Sequence, residues 1–93
     1  MDNDISIYLD KNSSKPLYIQ LYEGFRKSIE AGKLVENEKL PSIRNMADTL
    51  GVNNITVVNA YKLLESKGFA YSKKGSGTYV KKVAEETNFE YLE

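Results

Sequence analysis

Residues 40–61 have the sequence LPSIRNMADTLGVNNITVVNAY, which contains the signals for two helices and the turn between them. Apolar residues recur three and four positions apart on both sides of Gly51, which predicts two short amphipathic helices joined by a tight turn. Ser42 is a good cap for the first of these helices and Asn53 for the second. The predicted inward faces are Ile43, Met46, Ala47 and Leu50, then Val57, Ala60, Tyr61 and Leu64. This pattern is typical of a helix-turn-helix, whose second helix keeps its N-terminal end free of the core.

A further amphipathic helix is predicted upstream, over residues 16 to 31. Its apolar residues lie four apart, at Leu17, Leu21, Phe25 and Ile29. Pro16 suits the first helical position, and Gly32 suits the left-handed residue just past the end. Gly24 in the helix interior costs about 1 kcal/mol relative to alanine. We therefore expect either that another backbone approaches Gly24 or that packing elsewhere compensates.

Downstream of these helices, two β-prone stretches flank a glycine-rich tip. Residues 69–73 and 78–81 are separated by a tip with the sequence Lys74-Gly75-Ser76-Gly77, which predicts a β-hairpin. Three helices followed by a C-terminal hairpin wing make an α+β fold, the winged helix-turn-helix.

Domain boundaries follow from this arrangement. The winged helix should span residues 15 to 82, after an N-terminal extension over 1–14. Residues 83–93 should begin a linker to a missing C-terminal domain. Between the first two helices, residues 33–41 should form a loop with a short extended piece at 39–40, because the position before a proline avoids the helical region.

The composition limits the classes of function. The 93 residues make one small domain, which buries only about 60 to 65% of its unfolded surface. Cysteine and histidine are absent from the chain, which removes disulfides, thiolate metal sites and the commonest general base. No apolar run approaches the ~18 residues needed to span a bilayer, and the N-terminus is acidic where a secretory signal is basic. We expect a cytoplasmic protein that does not enter membranes, is not an enzyme and holds no metal.

Charges are segregated along the chain, although 13 basic and 13 acidic residues cancel overall. Between residues 53 and 82, six lysines oppose a single acidic residue, Glu65, which leaves a balance of +5. Residues 83–93 have four glutamates and no basic residue. A lysine cluster often only solvates a surface, but this one coincides with the second helix of the helix-turn-helix and with the hairpin. The coincidence favours nucleic-acid binding.

Eight short fragments keep a fixed order and spacing within about residues 15 to 82. They are Pro16-Leu17-Tyr18, Gly32-Lys33-Leu34, Leu40-Pro41-Ser42, Leu50-Gly51-Val52, Thr56-Val57, Ala60-Tyr61, Lys67-Gly68 and Gly75-Ser76-Gly77. Together they resemble the DNA-binding domain of GntR-family bacterial transcription regulators, and they look more like the MocR and YtrA branches than the fatty-acid-responsive one. In those branches a pyridoxal-phosphate-binding domain or a short helical dimerisation tail follows. The resemblance thus implies part of a longer, homodimeric regulator, in which any pyridoxal phosphate belongs to a missing C-terminal domain.

The resemblance also implies which residues bind a double-stranded DNA operator. The recognition helix, about 54–66, would enter the major groove, and the wing, 73–79, would approach the minor groove. Arg44 would contact DNA from the second helix, and Thr56 would touch phosphate or base from the third. The candidate DNA-binding residues are Ser42, Arg44, Asn53, Asn54, Ile55, Thr56, Asn59, Lys62, Lys73, Lys74, Gly75, Ser76 and Gly77.

One departure from the family pattern concerns the start of the recognition helix. The family usually has Ser-Arg where this chain has Asn53-Asn54, and many members have a basic residue where it has Val58. Arginine pairs with guanine O6 and N7, whereas asparagine matches adenine N6 and N7. The preferred operator should therefore shift towards A·T at that step.

Plainer interpretations stay open beside these. Arg44 can pair with Asp48 one helical turn on, in a surface ion pair that contributes only about 0.3 to 0.5 kcal/mol. Asn54 can serve only as a second cap of the recognition helix. The whole domain can be a protein-interaction module, because a fold does not settle function.

Overall fold

The computed structural model of the chain describes residues 7–81. In chain order these residues form α1 (Leu17–Glu30), α2 (Ile43–Leu50), α3 (Asn54–Ser66), β1 (Ala70–Lys73) and β2 (Gly77–Val80). The predicted winged helix-turn-helix is therefore confirmed, with each end of α1 one residue inside the predicted bounds. The predicted linker lies outside the described residues, and the domain boundary at residue 15 stays a prediction.

The ends of α2 have the signals that the sequence indicates. The Ser42 hydroxyl oxygen accepts a hydrogen bond from the backbone N–H of Asn45 at 3.1 Å, which satisfies a free donor in the first turn. Gly51 has a left-handed backbone with φ of 70°, and its N–H donates to the carbonyl of Ala47. This conformation ends α2 abruptly, so that α3 begins after only two further residues.

The core lies where α1 and α2 pack against α3. Its buried apolar residues are Leu21, Tyr22, Phe25, Leu34, Leu40, Met46, Ala47, Val57, Ala60, Tyr61, Leu64, Ala70 and Val80. The rings of Phe25 and Tyr61 meet edge to face with centroids 5.4 Å apart. Burial raises the pKa of the Tyr61 hydroxyl, which stays protonated and donates to the Pro41 carbonyl oxygen at 2.8 Å. That bond joins α3 to the residue that directly precedes the cap of α2.

The hairpin is antiparallel, with Ala70 opposite Val80 at its base and Lys73 opposite Gly77 at its tip. The tip contains three residues, 74–76, one fewer than predicted, because Gly77 pairs as the first residue of β2. The extended piece before α2 lies along the other edge of β2, where the Leu40 N–H donates to the Thr78 carbonyl at 2.8 Å. The predicted extended piece is therefore confirmed, and it attaches the wing to the helix-turn-helix.

Residues 7–15, the N-terminal strap, lie against α1. Gln20 of α1 accepts a hydrogen bond from the Asp10 N–H at 2.7 Å, and its amide nitrogen donates to the carbonyls of Asp10 and Lys15. Ile7 and Leu9 pack against the core. Polar and apolar contacts together therefore fix the course of the strap.

The strap packs closely against α1 at Gly24. A Cβ atom at this position would lie 2.9 Å from Cγ2 of Ile7, a distance that requires one of them to move. The sequence left open whether a backbone approaches this glycine, and the structure shows that a side chain does. The helix-propensity cost of Gly24 is thus offset by packing of the strap.

Substitution of Gly24 by alanine should have different effects with and without the Ile7 side chain. In an Ile7→Ala background, Gly24→Ala should raise the free energy of unfolding by about 1 kcal/mol, the helix-propensity gain. In the wild-type background the gain should be smaller, because the new methyl group displaces Ile7. Denaturant unfolding of the four proteins gives the coupling energy. Equal increments in both backgrounds would show that Ile7 does not pack on Gly24.

Candidate nucleic-acid interface

The N-terminal half of α3 presents an exposed polar face. Asn54, Ile55 and Asn59 are exposed, and 57% of the Ile55 surface is open to solvent. Lys62 is also exposed, one turn beyond Val58, which is half-buried. Within residues 7–81 the side chains of Asn54 and Asn59 form no hydrogen bond. Their amide groups are therefore available to an outside partner.

Asn53 and Thr56 interact with each other at the start of α3. Asn53 occupies the N-cap position with an extended backbone, but its side chain accepts no backbone hydrogen bond. Its Oδ1 accepts instead from the Thr56 hydroxyl at 3.1 Å. The sequence predicted Asn53 as the cap of α3. Asn53 does occupy the N-cap position, but the expected hydrogen bond from its side chain to a backbone N–H of the first turn is not formed. The reason is that the Thr56 hydroxyl competes with the backbone donors for the same oxygen.

Ser42 and Arg44 lie at the start of α2, and both are exposed. The Ser42 oxygen is already engaged as the α2 cap, which leaves its hydroxyl proton as a donor. Arg44 forms no ion pair with Asp48 in the part of the chain that the structure describes. The plain surface-pair interpretation of Arg44 therefore lacks support, and its guanidinium is open to solvent.

The wing is stiffened by two tyrosines on one of its faces. The rings of Tyr71 and Tyr79 stack with centroids 5.6 Å apart, and the Lys73 ammonium lies 5.2 Å from the Tyr79 centroid. The hydroxyls of Ser76 and Tyr79 share a hydrogen bond. A cation over an aromatic face is favourable, so Lys73 is held close to the hairpin. The three residues of the tip, 74–76, are exposed.

Lys39 belongs to the wing surface, although no sequence motif indicates this. It lies opposite Tyr79 in the extended piece before α2. A Cβ atom on Gly77, whose φ is 141°, would lie 2.9 Å from Cε of Lys39, so the Lys39 stem crosses the wing where only glycine leaves room. The extended piece was the one available signal, but nothing local showed that it would pair with the hairpin.

Positive charge dominates the surface of α3 and the wing. The exposed lysines are Lys62, Lys67, Lys73, Lys74 and Lys81. Glu65, the one acidic residue between positions 53 and 81, is half-buried and accepts a hydrogen bond from the Ser72 hydroxyl at 2.6 Å. Its carboxylate is therefore held at the junction of α3 and β1. Over the stretch that is described, residues 7–81, no helix is both long and apolar enough to cross a membrane.

The chain matches the family described as bacterial regulatory proteins, gntR family, over residues 17–80. It is similar to a probable rhizopine catabolism regulatory protein, MocR, from Rhizobium meliloti. The two are 42% identical over 74 residues, which make up 80% of this chain and 15% of that protein. The chain therefore spans only a small part of the length of this relative.

Solved structures share the fold at similar identity. YtrA from Sulfolobus acidocaldarius, a GntR-family transcription factor, superposes with a TM-score of 0.79 at 35% identity, covering 92% of this chain and 90% of that one. The AraR DNA-binding domain, solved in complex with operator ORX1, superposes with a TM-score of 0.68 at 30% identity, covering 77% and 86%. The chain belongs to the gntR family of bacterial regulatory proteins, and its winged helix-turn-helix is the domain that carries the match.

Proposed function

We propose that the chain binds double-stranded operator DNA sequence-specifically, as the DNA-reading domain of a GntR-type transcription regulator. The N-terminal end of α3 enters the major groove, and the wing approaches the minor groove. The observation that carries this proposal is the exposed polar face of α3, which in chain order lies between Arg44, unpaired within residues 7–81, and a lysine-bearing wing. The likeness to a DNA-binding domain solved with its operator supports the proposal.

The proposed contacts divide into those that position the protein and those that read sequence. Arg44, Lys73 and Lys74 are exposed cations without a carboxylate partner in the described part of the chain, so they suit phosphates. Asn54 and Asn59 have amides without a hydrogen-bond partner within residues 7–81, and such amides match the adenine edge. The apolar Ile55 suits a thymine methyl group. Together these side chains favour an A·T-rich contact at the start of the helix.

We also propose that the full-length regulator acts as a homodimer on two half-sites. A single helix-turn-helix reads the bases beneath one recognition helix, and dimeric readers place two such helices about one DNA turn apart. The described residues contain one recognition helix and one wing. They suffice for one half-site.

The proposal can be tested with the whole chain. Duplexes are selected from a random pool, and the selected and scrambled duplexes are titrated between about 50 and about 200 mM salt. We expect preference for the selected duplex and a steep linear fall of log K with log salt. A shallow slope without sequence preference would contradict DNA reading and would favour the protein-interaction module instead.

The wing lysines should contribute affinity without specificity. Lys73→Ala and Lys74→Ala should each lower the salt slope by about 1 on selected and scrambled duplexes alike, because each removes one phosphate contact. Lys67→Ala removes the same charge at the C-cap of α3, outside the hairpin, and serves as the control. Slopes that stay at the wild-type value in all three variants would mean that the wing lysines only solvate the hairpin.

A further inference from the structure

Lys11 of the N-terminal strap reaches the turn of the helix-turn-helix. Its ammonium donates a hydrogen bond to the Gly51 carbonyl oxygen at 2.9 Å, across 40 positions of sequence. Gly51 precedes the N-cap residue Asn53 by two positions. Two residues of chain span at most about 7 Å, so the ammonium lies close to the end of α3 that faces DNA in the proposed function.

The position of Lys11 is fixed by the rest of the strap. Asp10, the residue before it, is held on α1 by the paired hydrogen bonds with Gln20. The Asp10 carboxylate also accepts from the backbone N–H of Asn12, which closes a local turn around Lys11. Little backbone freedom is then lost when Lys11 engages a ligand, and preorganisation of this kind favours binding.

We propose that Lys11 is a DNA phosphate contact, delivered by the N-terminal strap to the backbone beside the start of α3. The inference rests on the proposed function, because it concerns the same DNA-binding surface. Lysine has three ammonium donors, and the Gly51 carbonyl uses one of them. Two donors therefore remain for phosphate oxygens, while the bond to Gly51 sets the direction of the side chain.

A purely structural role for Lys11 is the competing explanation. A cation near the last carbonyls of α2 stabilises a helix by about 0.3 to 1 kcal/mol, without any ligand. That role predicts a loss of stability and no change in DNA binding. A phosphate contact predicts a change in the dependence of binding on salt, which capping does not affect.

The test compares Lys11→Met with Lys15→Met in the whole chain. Both variants remove one positive charge from the strap, but Lys15 pairs with Glu23 of α1 at 2.9 Å instead of reaching the turn. On the duplex selected by the wild-type chain, Lys11→Met should lower the salt slope by about 1 and weaken binding about three- to tenfold near 100 mM salt. Lys15→Met should keep the wild-type slope, and Lys11→Arg should restore it.

Unfolding midpoints of the three variants accompany the binding titrations. If Lys11→Met and Lys15→Met have the same slope as the wild-type chain, Lys11 is only a cap of α2 and the proposal is overturned. If the wild-type chain shows no preference for any selected duplex, the proposed function fails, and the Lys11 contact fails with it. The titration of the wild-type chain distinguishes the two failures: sequence preference is kept if only the Lys11 contact is wrong, and is absent if the proposed function is wrong.

Discussion

Two copies of the chain joined by a flexible linker should bind a two-half-site operator about 10²- to 10⁴-fold more tightly than one copy. This corresponds to about 2.7 to 5.5 kcal/mol. The single chain should bind one half-site only in the micromolar range, because the face of α3 offers few base contacts. Once the first copy is bound, the second binds at the effective concentration set by the linker.

The matched control is an operator with one half-site scrambled. On that duplex the linked protein should bind nearly as weakly as the single chain, since no second specific site is within reach. Fluorescence anisotropy on both duplexes at fixed salt measures the gain. Nanomolar binding of one half-site by the single chain, without a gain on linking, would refute this account of how affinity is built.

The elements of the fold could be predicted because their signals are local. Ser42 and Gly51 lie within one turn of the helix ends that they define, and each acts on backbone groups of that same helix. The hairpin is likewise specified by a short glycine-rich tip between β-prone residues. Such signals need no knowledge of the rest of the chain.

Contacts between distant parts of the chain could not be predicted. The Lys11–Gly51 bond joins residues 40 positions apart, and the contact of Lys39 with Gly77 depends on pairing between the extended piece and β2. No periodicity or cap signals either contact. Gly24 gave a partial signal, since a glycine inside a helix indicated close approach without showing that Ile7 was the neighbour.

The candidate site was predicted as a set of residues, but not in its internal bonding. From the sequence, Asn53 and Thr56 were predicted separately as DNA-binding residues. In the structure a side-chain hydrogen bond joins them. That bond leaves Asn54 as the first polar side chain of α3 without a partner within residues 7–81. The interpretation of Asn54 as a second cap therefore loses support, and the base-contact interpretation gains it.

Asn54→Arg should change the base preferred at one position in each half-site from adenine towards guanine, by about 1 to 3 kcal/mol. The side chain at position 54 is exposed at the N-terminal end of α3, the end that enters the major groove in a helix-turn-helix. An arginine there can pair bidentately with guanine O6 and N7, whereas asparagine matches adenine N6 and N7. Selection from a random duplex pool by both proteins measures the preference.

The added arginine also brings a positive charge close to phosphates, so binding to every sequence should tighten as well. Asn45→Arg is the matched control, because Asn45 is exposed on α2 and the substitution adds the same charge on a different helix. Because Asn45 belongs to α2 and not to the recognition helix α3, this control should tighten binding without a change in the selected sequence. The slope of log K against log salt measures the effect of the added charge. The bases selected from the random pool show whether the residue contacts a base.

Only a change in base preference tests the role of Asn54. If Asn54→Arg and the wild-type chain select identical sites, Asn54 does not face a base edge in the complex. The sequence specificity then lies with Arg44, Thr56 or Asn59. In that case there is no longer a reason to expect the A·T preference that was inferred from asparagine at position 54, where the family usually has arginine. If the preference moves at one position only, that position locates the start of α3 on the operator.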